Sequence, residues 1–453
     1  MDSPYAHLAV FDVGKTNLKF SLLDGAGRVL YATTTPNHVQ GGPPYPHYDT
    51  EAMFDWLKGQ LRQASPRPQA VVVTTHGATG ALMRGDALAL PVLDYEFRGP
   101  ESVAYPRPGF AETASPALPG GLNLGRQLYW QQQTFPAEFA GADTFLMYPQ
   151  YWAFRLCGVR ATEVTSYGAH TDLWNPYAAD FSSLVKDQGW ARLLPPTRPA
   201  WAVLGPLRQE VALEVGYDRP CDVLCGVHDS NASLVPYLGG DRPTVVSTGT
   251  WVISFVAGGS LEYLREDRDL LANVNILGQA VPTARYMGGR EFAAILDGEM
   301  PADAGWGDLE AVLRVPVFAV PGFCDQGGAF MRHAGCFLPE RPADLRMRYA
   351  LASLYSALMV DLQLEWLGSS NDVFIEGSFS QNPFIPALLA ALRPGQRVYV
   401  SGEASGTTLG AFHLAHWNRH KARPEQTLVK VAGLEGLSSY QSAWREKALA
   451  LLG

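Results

Sequence analysis

Cysteine is scarce in this chain of 453 residues, and positive charge is in deficit. The five cysteines, Cys157, Cys221, Cys225, Cys324 and Cys336, are odd in number, scattered, and never spaced as CxxC. That excludes a disulfide framework and fits a reduced compartment. Cys221 and Cys225 lack the companions a zinc site needs and read as buried packing residues. Lys and Arg number 35 against 44 Asp and Glu, a net charge of −9, which argues against nucleic acid as the main partner. An anionic cofactor still binds where a lysine, a metal ion or a helix N-terminus outweighs the distant charge. No apolar run is long enough to span a bilayer. The polar start, Met1 to Pro4, is no secretion signal, so a cytoplasmic location is expected. A P-loop is missing as well. Gly14-Lys15-Thr16 has Ala9 where that motif needs its first glycine, and Leu18, Phe20 and Leu22 alternate with Lys19 and Ser21 as in a strand, not a helix.

What is present begins with AVFDVGKTNLKFSLLDG, Ala9 to Gly25. It predicts a buried strand from Leu8 to Val13, a glycine turn, and a second strand from Asn17 to Leu23. Gly14, Lys15, Thr16 and Asn17 suit the phosphate tail of a nucleotide: backbone N–H groups and hydroxyls cradle anionic oxygens, and lysine adds a point charge. Asp12 suits Mg²⁺ or its waters; a turn acid satisfied by backbone amides is the plainer alternative.

The pattern returns at Thr244 to Val256, TVVSTGTWVISFV, with Thr248, Gly249 and Thr250 in the turn. Each hairpin is followed by an amphipathic helix and an apolar strand ending in glycine. The first helix starts near Asp49-Thr50 with Met53, Phe54, Leu57 and Leu61 on one face, and leads to Ala70–Gly80. The second runs from about Leu345 to Leu367 and leads to DVFIEGSFSQNPF, Asp372 to Phe384. The alternation predicts an α/β class, and the echo predicts two duplicated domains facing across a cleft. VPYLGGDRP, ending at Pro243, marks the division, giving domains 1–238 and 239–453.

Four segments, in order, resemble the FGGY-type carbohydrate kinases of the actin/hexokinase-like (ribonuclease H-like) superfamily. They are FDVGKTNLKF; GVHDSNASLVPYLG, Gly226 to Gly239; VVSTGTWV; and EGSFSQNPFIPALLAAL with VSGEASGTTLGAFHLA. HDSNAS, VGKTN and STGTW look closest to the rhamnulokinase and fuculokinase branches. Lys15 stands where many members have Thr or Ser, and Glu376 where many have a second Gly. Pro321–Gly335 stands as a degenerate counterpart of the family's long second signature.

The resemblance implies an ATP- and Mg²⁺-dependent sugar kinase, with the sugar and the base on 1–238 and the nucleotide on 239–453. By position alone Asp229 is a helix cap or a general base; the G-x-x-D resemblance favours the base. His228 is the neighbouring candidate, and only one of the two is expected on the reacting atom. Lys15, Thr16 and Asn17 are expected on the β- and γ-phosphates, opposed by Thr248, Gly249 and Thr250. Gly377, Ser378, Gln381 and Asn382, with Ser405 nearby, are expected at the adenosine end; a helix start capped by Ser or Asn is the plainer alternative. His76 and Gly77 match the family's substrate-side loop, and Glu96, Tyr151 and Trp152 are further candidates for the sugar, although a Tyr-Trp pair is more often core. The favoured acceptor is a ketose such as L-rhamnulose or L-fuculose. Xylulose, ribulose, a polyol, or a non-catalytic regulator on the same fold remain alternatives, and a homodimer is one assembly open to the chain.

Overall fold

The computed structural model describes residues 4–238, 242–301, 303–401, 406–417, 426–431 and 433–453. These fall into two compact units. The first holds residues 4–238, 272–280 and 406–417; the second holds the remaining described residues. The expected single division into 1–238 and 239–453 therefore needs correction. Helix Gly406–Ala415 belongs with the first unit because Ala411, Phe412 and Leu414 join Leu8, Val10, Val72 and Ala232 in one apolar cluster.

In the first unit, the strands Val203–Pro206, Asp222–Leu224, Ala70–Thr75, His7–Val13, Asn17–Asp24 and Val29–Pro36 lie side by side in that order. The short strand Val227–His228 also pairs with Ala70–Thr75. His7–Val13 is antiparallel to Asn17–Asp24 and parallel to Ala70–Thr75. Successive side chains of a strand point to opposite faces. Accordingly Ala9, Phe11 and Val13 enter a core containing Phe54, Leu57 and Leu61 of helix Thr50–Gln63, while Leu8 and Val10 enter the cluster with helix Gly406–Ala415. Asp49 caps helix Thr50–Gln63 by accepting the Ala52 amide at 3.0 Å.

In the second unit, the strands Ala280–Tyr286, Val252–Val256, Thr244–Thr248, Val373–Gly377, Val398–Ser401 and Gln426–Leu428 lie in order. Thr244–Thr248 is antiparallel to Val252–Val256 and parallel to Val373–Gly377, the arrangement of the first unit repeated. The connecting helix, Leu345–Trp366, departs from the amphipathic expectation: every residue from Ala350 to Leu364 is buried. A helix covered on all sides is a central one, and helices Trp306–Arg314, Ile385–Leu392 and Leu437–Leu449 share its core. Among the described residues no helix is long and apolar enough to cross a membrane.

Candidate active site

Three parallel strands of the first unit end together. Register pairs Asp12 with Thr74, Thr74 with Val227, Val13 with Thr75, and Thr75 with His228. The residues at or just past these ends are Asp12, His76, Gly77, His228 and Asp229, so the sheet delivers them to one edge, where α/β proteins place their ligands.

Asp12 accepts a hydrogen bond from Thr74 Oγ1 at 2.9 Å. Burial pushes its carboxyl up to about 7, and the negative charge of Asp229 adds to the rise; Thr74 and Lys19 act the other way. Lys19 stands opposite Asp12 in the hairpin register, and its Nζ reaches Thr408 Oγ1 at 3.4 Å.

Asp229 opens the helix Asp229–Leu234, with His228 in the cap position. Its Oδ1 accepts the Ser230 amide at 2.6 Å and the Ser230 hydroxyl at 3.2 Å. Burial raises its carboxyl to about 6 despite these bonds, and 29% of the side chain stays open to solvent. His228 Nε2 lies 3.3 Å from Asp229 Oδ1. Its Nδ1 faces the Asn231 side-chain amide nitrogen at 3.2 Å, which makes Nδ1 the acceptor and leaves the proton on Nε2, facing the carboxylate. Burial drives this imidazole down to about 4, so near neutral pH it is uncharged. Of the two candidate bases, the histidine is thus a donor and the aspartate holds the accepting lone pairs. A Cβ on Gly77 would fall 2.7 Å from His228 Nε2; glycine is needed there for the ring to sit as it does. The His228 amide donates to Thr165 Oγ1 at 3.2 Å, and Thr165 donates to the buried Glu163 at 2.6 Å.

His76 is 7% exposed, and its amide donates to Val13 O at 2.9 Å. Its Nδ1 lies 2.9 Å from the Gly77 carbonyl, which places the proton there and leaves Nε2 as an acceptor. That Nε2 is buried with no partner among the described residues.

The phosphate-type turn closes with Gly14 N donating to Asn17 O at 2.9 Å, braced by Asn37 Nδ2 on Gly14 O at 2.8 Å. Thr16 and Asn17 are exposed. Lys15 turns toward Asp94, with which it forms an ion pair, and lies 3.5 Å from Glu96.

In the second unit the Thr248 hydroxyl donates to the Glu376 carbonyl and accepts the Phe379 amide at 2.9 Å. Gly377, at φ +81°, sits beside it, and a Cβ there would fall 1.9 Å from the Thr248 carbonyl oxygen. Gly249 and Thr250 are exposed in the turn, as are Ser378 and Gln381. Asn382 Oδ1 accepts the Phe384 and Ile385 amides, each at 2.9 Å, at the start of helix Ile385–Leu392. Trp251 packs over the Arg285 guanidinium, which bonds Asp269 at 3.1 Å; Asp269 in turn accepts the Gly328 amide at 2.7 Å.

A family profile for the carbohydrate kinase FGGY C-terminal domain matches residues 241–424. Over 271 residues the chain is 24% identical to an L-fuculokinase of Salmonella typhi, covering 56% of this chain and 57% of that protein. Over 132 residues it is 28% identical to a rhamnulokinase of Oceanobacillus iheyensis, covering 29% and 28%. The aligned part thus spans about half the L-fuculokinase and less of the rhamnulokinase. The solved structure of a carbohydrate kinase from Novosphingobium aromaticivorans is 34% identical, with a TM-score of 0.87 over 98% of both chains. The chain belongs to the FGGY carbohydrate kinase family. The two-domain α/β expectation is met by the same comparison.

In this FGGY chain the first unit gathers Asp12, His76, Gly77, His228 and Asp229. Glu96 stands beside Lys15. Three expectations need correction. Tyr151 and Trp152, candidates for the sugar, are 1% and 0% exposed; Trp152 packs edge-on to Phe11, with ring centroids 5.5 Å apart, and both belong to the core, the commoner place for such a pair. Thr248 spends its hydroxyl on the Glu376–Phe379 backbone, and Asn382 spends its Oδ1 on the Phe384 and Ile385 amides and its Nδ2 on the Tyr349 and Ser353 hydroxyls, so neither side chain is available in the way expected. Ser405 lies outside the described residues. Sequence reasoning passed over Lys19, Thr74 and Asp94. The first was within reach: a hairpin pairing Gly14 with Asn17 pairs Asp12 with Lys19. Asp94 carried no signal that set it above Glu96, two residues on.

Proposed function

We propose that the protein transfers the γ-phosphoryl group of ATP to a hydroxyl of a small sugar. The observation that supports this most is the Asp229 carboxylate beside Asp12 at the strand ends, held by the Ser230 amide and faced by the His228 N–H. Asp229 is the general base: it accepts the proton of the acceptor hydroxyl as that oxygen attacks phosphorus. His228 orients the carboxylate by donating from Nε2. A base with its carboxyl near 6 is ionised at neutral pH yet basic enough to take a proton.

Asp12 is the residue to hold Mg²⁺. The negative charge of Asp229 raises the proton affinity of Asp12, so a cation held by Asp12 would relieve that repulsion, and Mg²⁺ is commonly held by one or two carboxylates with the substrate phosphates. When bound, the ion neutralises charge on the phosphates. Thr16 and Asn17 in the first unit, and Gly249 and Thr250 in the second, offer exposed turn groups to phosphate oxygens. The Gly377–Gln381 turn offers backbone and the Ser378 and Gln381 side chains to the adenosine.

The L-fuculokinase and rhamnulokinase relatives support a ketose acceptor. A panel of L-rhamnulose, L-fuculose, xylulose, ribulose and polyols in a coupled ADP-release assay tests the reading. At least one ketose should raise ADP release well above the rate with ATP alone; a panel with no effect overturns it in favour of a binding regulator.

A further inference from the structure

Lys15 sits in a turn suited to phosphate, yet its cation is already taken. Nζ is ion-paired with Asp94 Oδ1 and lies 3.5 Å from Glu96 Oε2. It stands over two tyrosine rings, 5.4 Å from the centre of Tyr48 and 5.0 Å from that of Tyr95. His76 packs against the same two rings, at 5.5 Å and 5.4 Å. The Tyr48 hydroxyl donates to Asp94 Oδ1 at 3.3 Å. Lysine, aspartate and histidine are therefore set around one pair of aromatic faces.

The polar groups of this box are one cation, two carboxylates, the two tyrosine hydroxyls and His76 Nε2, an acceptor with no partner among the described residues. Burial keeps that imidazole neutral. A phosphate drawn to Lys15 would have to break the pair and leave Asp94, only 10% exposed at its side chain, without its cation. Removing one partner of a buried pair is strongly unfavourable. A carboxylate ligand would meet an excess of negative charge. A neutral hydroxyl suits every group: it donates to His76 Nε2 or to a carboxylate, and its oxygen accepts from Lys15 without displacing Asp94.

We infer that Lys15 is a specificity residue for a neutral polyhydroxy acceptor rather than a phosphate ligand, reading adjacent hydroxyls together with Asp94 and His76 and turning away sugar acids. The inference rests on the sugar-kinase reading for the acceptor's class, and extends it to which groups recognise that acceptor.

Equilibrium binding by calorimetry, without turnover, tests it. The probes are L-rhamnulose, L-fuculose, D-xylulose, D-gluconate and a non-hydrolysable ATP analogue with Mg²⁺. The proteins are the wild type, Lys15→Met, and Lys15→Met combined with Asp94→Asn, which removes both charges and strands neither. At least one ketose should bind the wild type, with gluconate at least about tenfold weaker. Both variants should weaken that ketose about tenfold or more and leave the ATP analogue within about twofold. Weakening of the analogue with the ketose unchanged overturns the inference. So does gluconate binding as tightly as the ketoses, loss of both ligands in both variants, or no ketose binding at all. ADP release separates the two claims. A ketose that binds through Lys15 but releases no ADP removes the kinase reading alone, and ADP release driven by gluconate but by no neutral sugar or polyol removes the Lys15 inference alone.

Discussion

His228 Nε2 faces Asp229 Oδ1 at 3.3 Å as a hydrogen-bond donor, because Nδ1 of the same ring is taken by the Asn231 amide. Two neighbouring residues that both qualify as bases on paper are thereby given different roles. His228→Phe keeps a ring of similar bulk and removes the donor. We expect kcat to fall about tenfold to a hundredfold, with the KM for ATP little changed and partial recovery in His228→Gln. Equal activity of His228→Phe and wild type in steady-state assays would show that the histidine is only packing.

The pH profile follows from the same pair. Asp229, raised to about 6, works as a base only when ionised. Lowering the pH through that value protonates it and removes the lone pair that takes the acceptor's proton. The histidine, near 4, stays neutral throughout. With Asp12 raised to about 7 as well, kcat/KM should climb to a plateau near pH 8 and fall at least about tenfold per pH unit below 6. A profile that stays level to pH 5 contradicts the assignment.

Trp152 separates a core role from a sugar role. With no exposed surface and Phe11 against its ring, Trp152→Ala should cost about 3–5 kcal/mol of stability. Trp152→Phe should keep the KM for sugar within about twofold. Chemical denaturation and acceptor kinetics read these directly, and a large rise in sugar KM in the phenylalanine variant would restore the tryptophan to the site.

In the second unit, Gly377 and Asn382 should behave differently although only five residues apart. Gly377→Ala forces a Cβ onto the Thr248 carbonyl at a left-handed φ, costing about 1–3 kcal/mol or more, and should weaken nucleotide binding because the turn must shift. Asn382→Ala removes the acceptor of the Phe384 and Ile385 amides, costing about 1–3 kcal/mol, and should leave ADP affinity within about twofold. Thermal unfolding with and without ADP distinguishes them.

The hairpins were legible because alternation and a glycine turn are local signals. Once Gly14 is set opposite Asn17, the pairing of Asp12 with Lys19 follows by counting. The parallel neighbour, Ala70–Thr75, was legible as an apolar run leading to a glycine. Side-chain partners far apart in the chain were not. Nothing near Lys15 announces Asp94, and nothing near Thr248 says that its hydroxyl will be consumed by the turn at Gly377. Tyr151 and Trp152 misled because helix Tyr148–Cys157 is buried on every side from Tyr148 to Phe154, so its sequence carries no stripe to tell a lining face from a core face. The return of helix Gly406–Ala415 to the first unit was hidden for the same reason: seven of its ten residues are buried.

The account turns on Asp229 as the base. Sugar-dependent ADP release by Asp229→Asn, measured beside its affinity for ADP, tests that most directly. The amide keeps the shape of the side chain but cannot take the proton, so turnover should fall by about a thousandfold while ADP binding stays within about twofold. Turnover near that of the wild type, with ADP binding intact, would contradict the account.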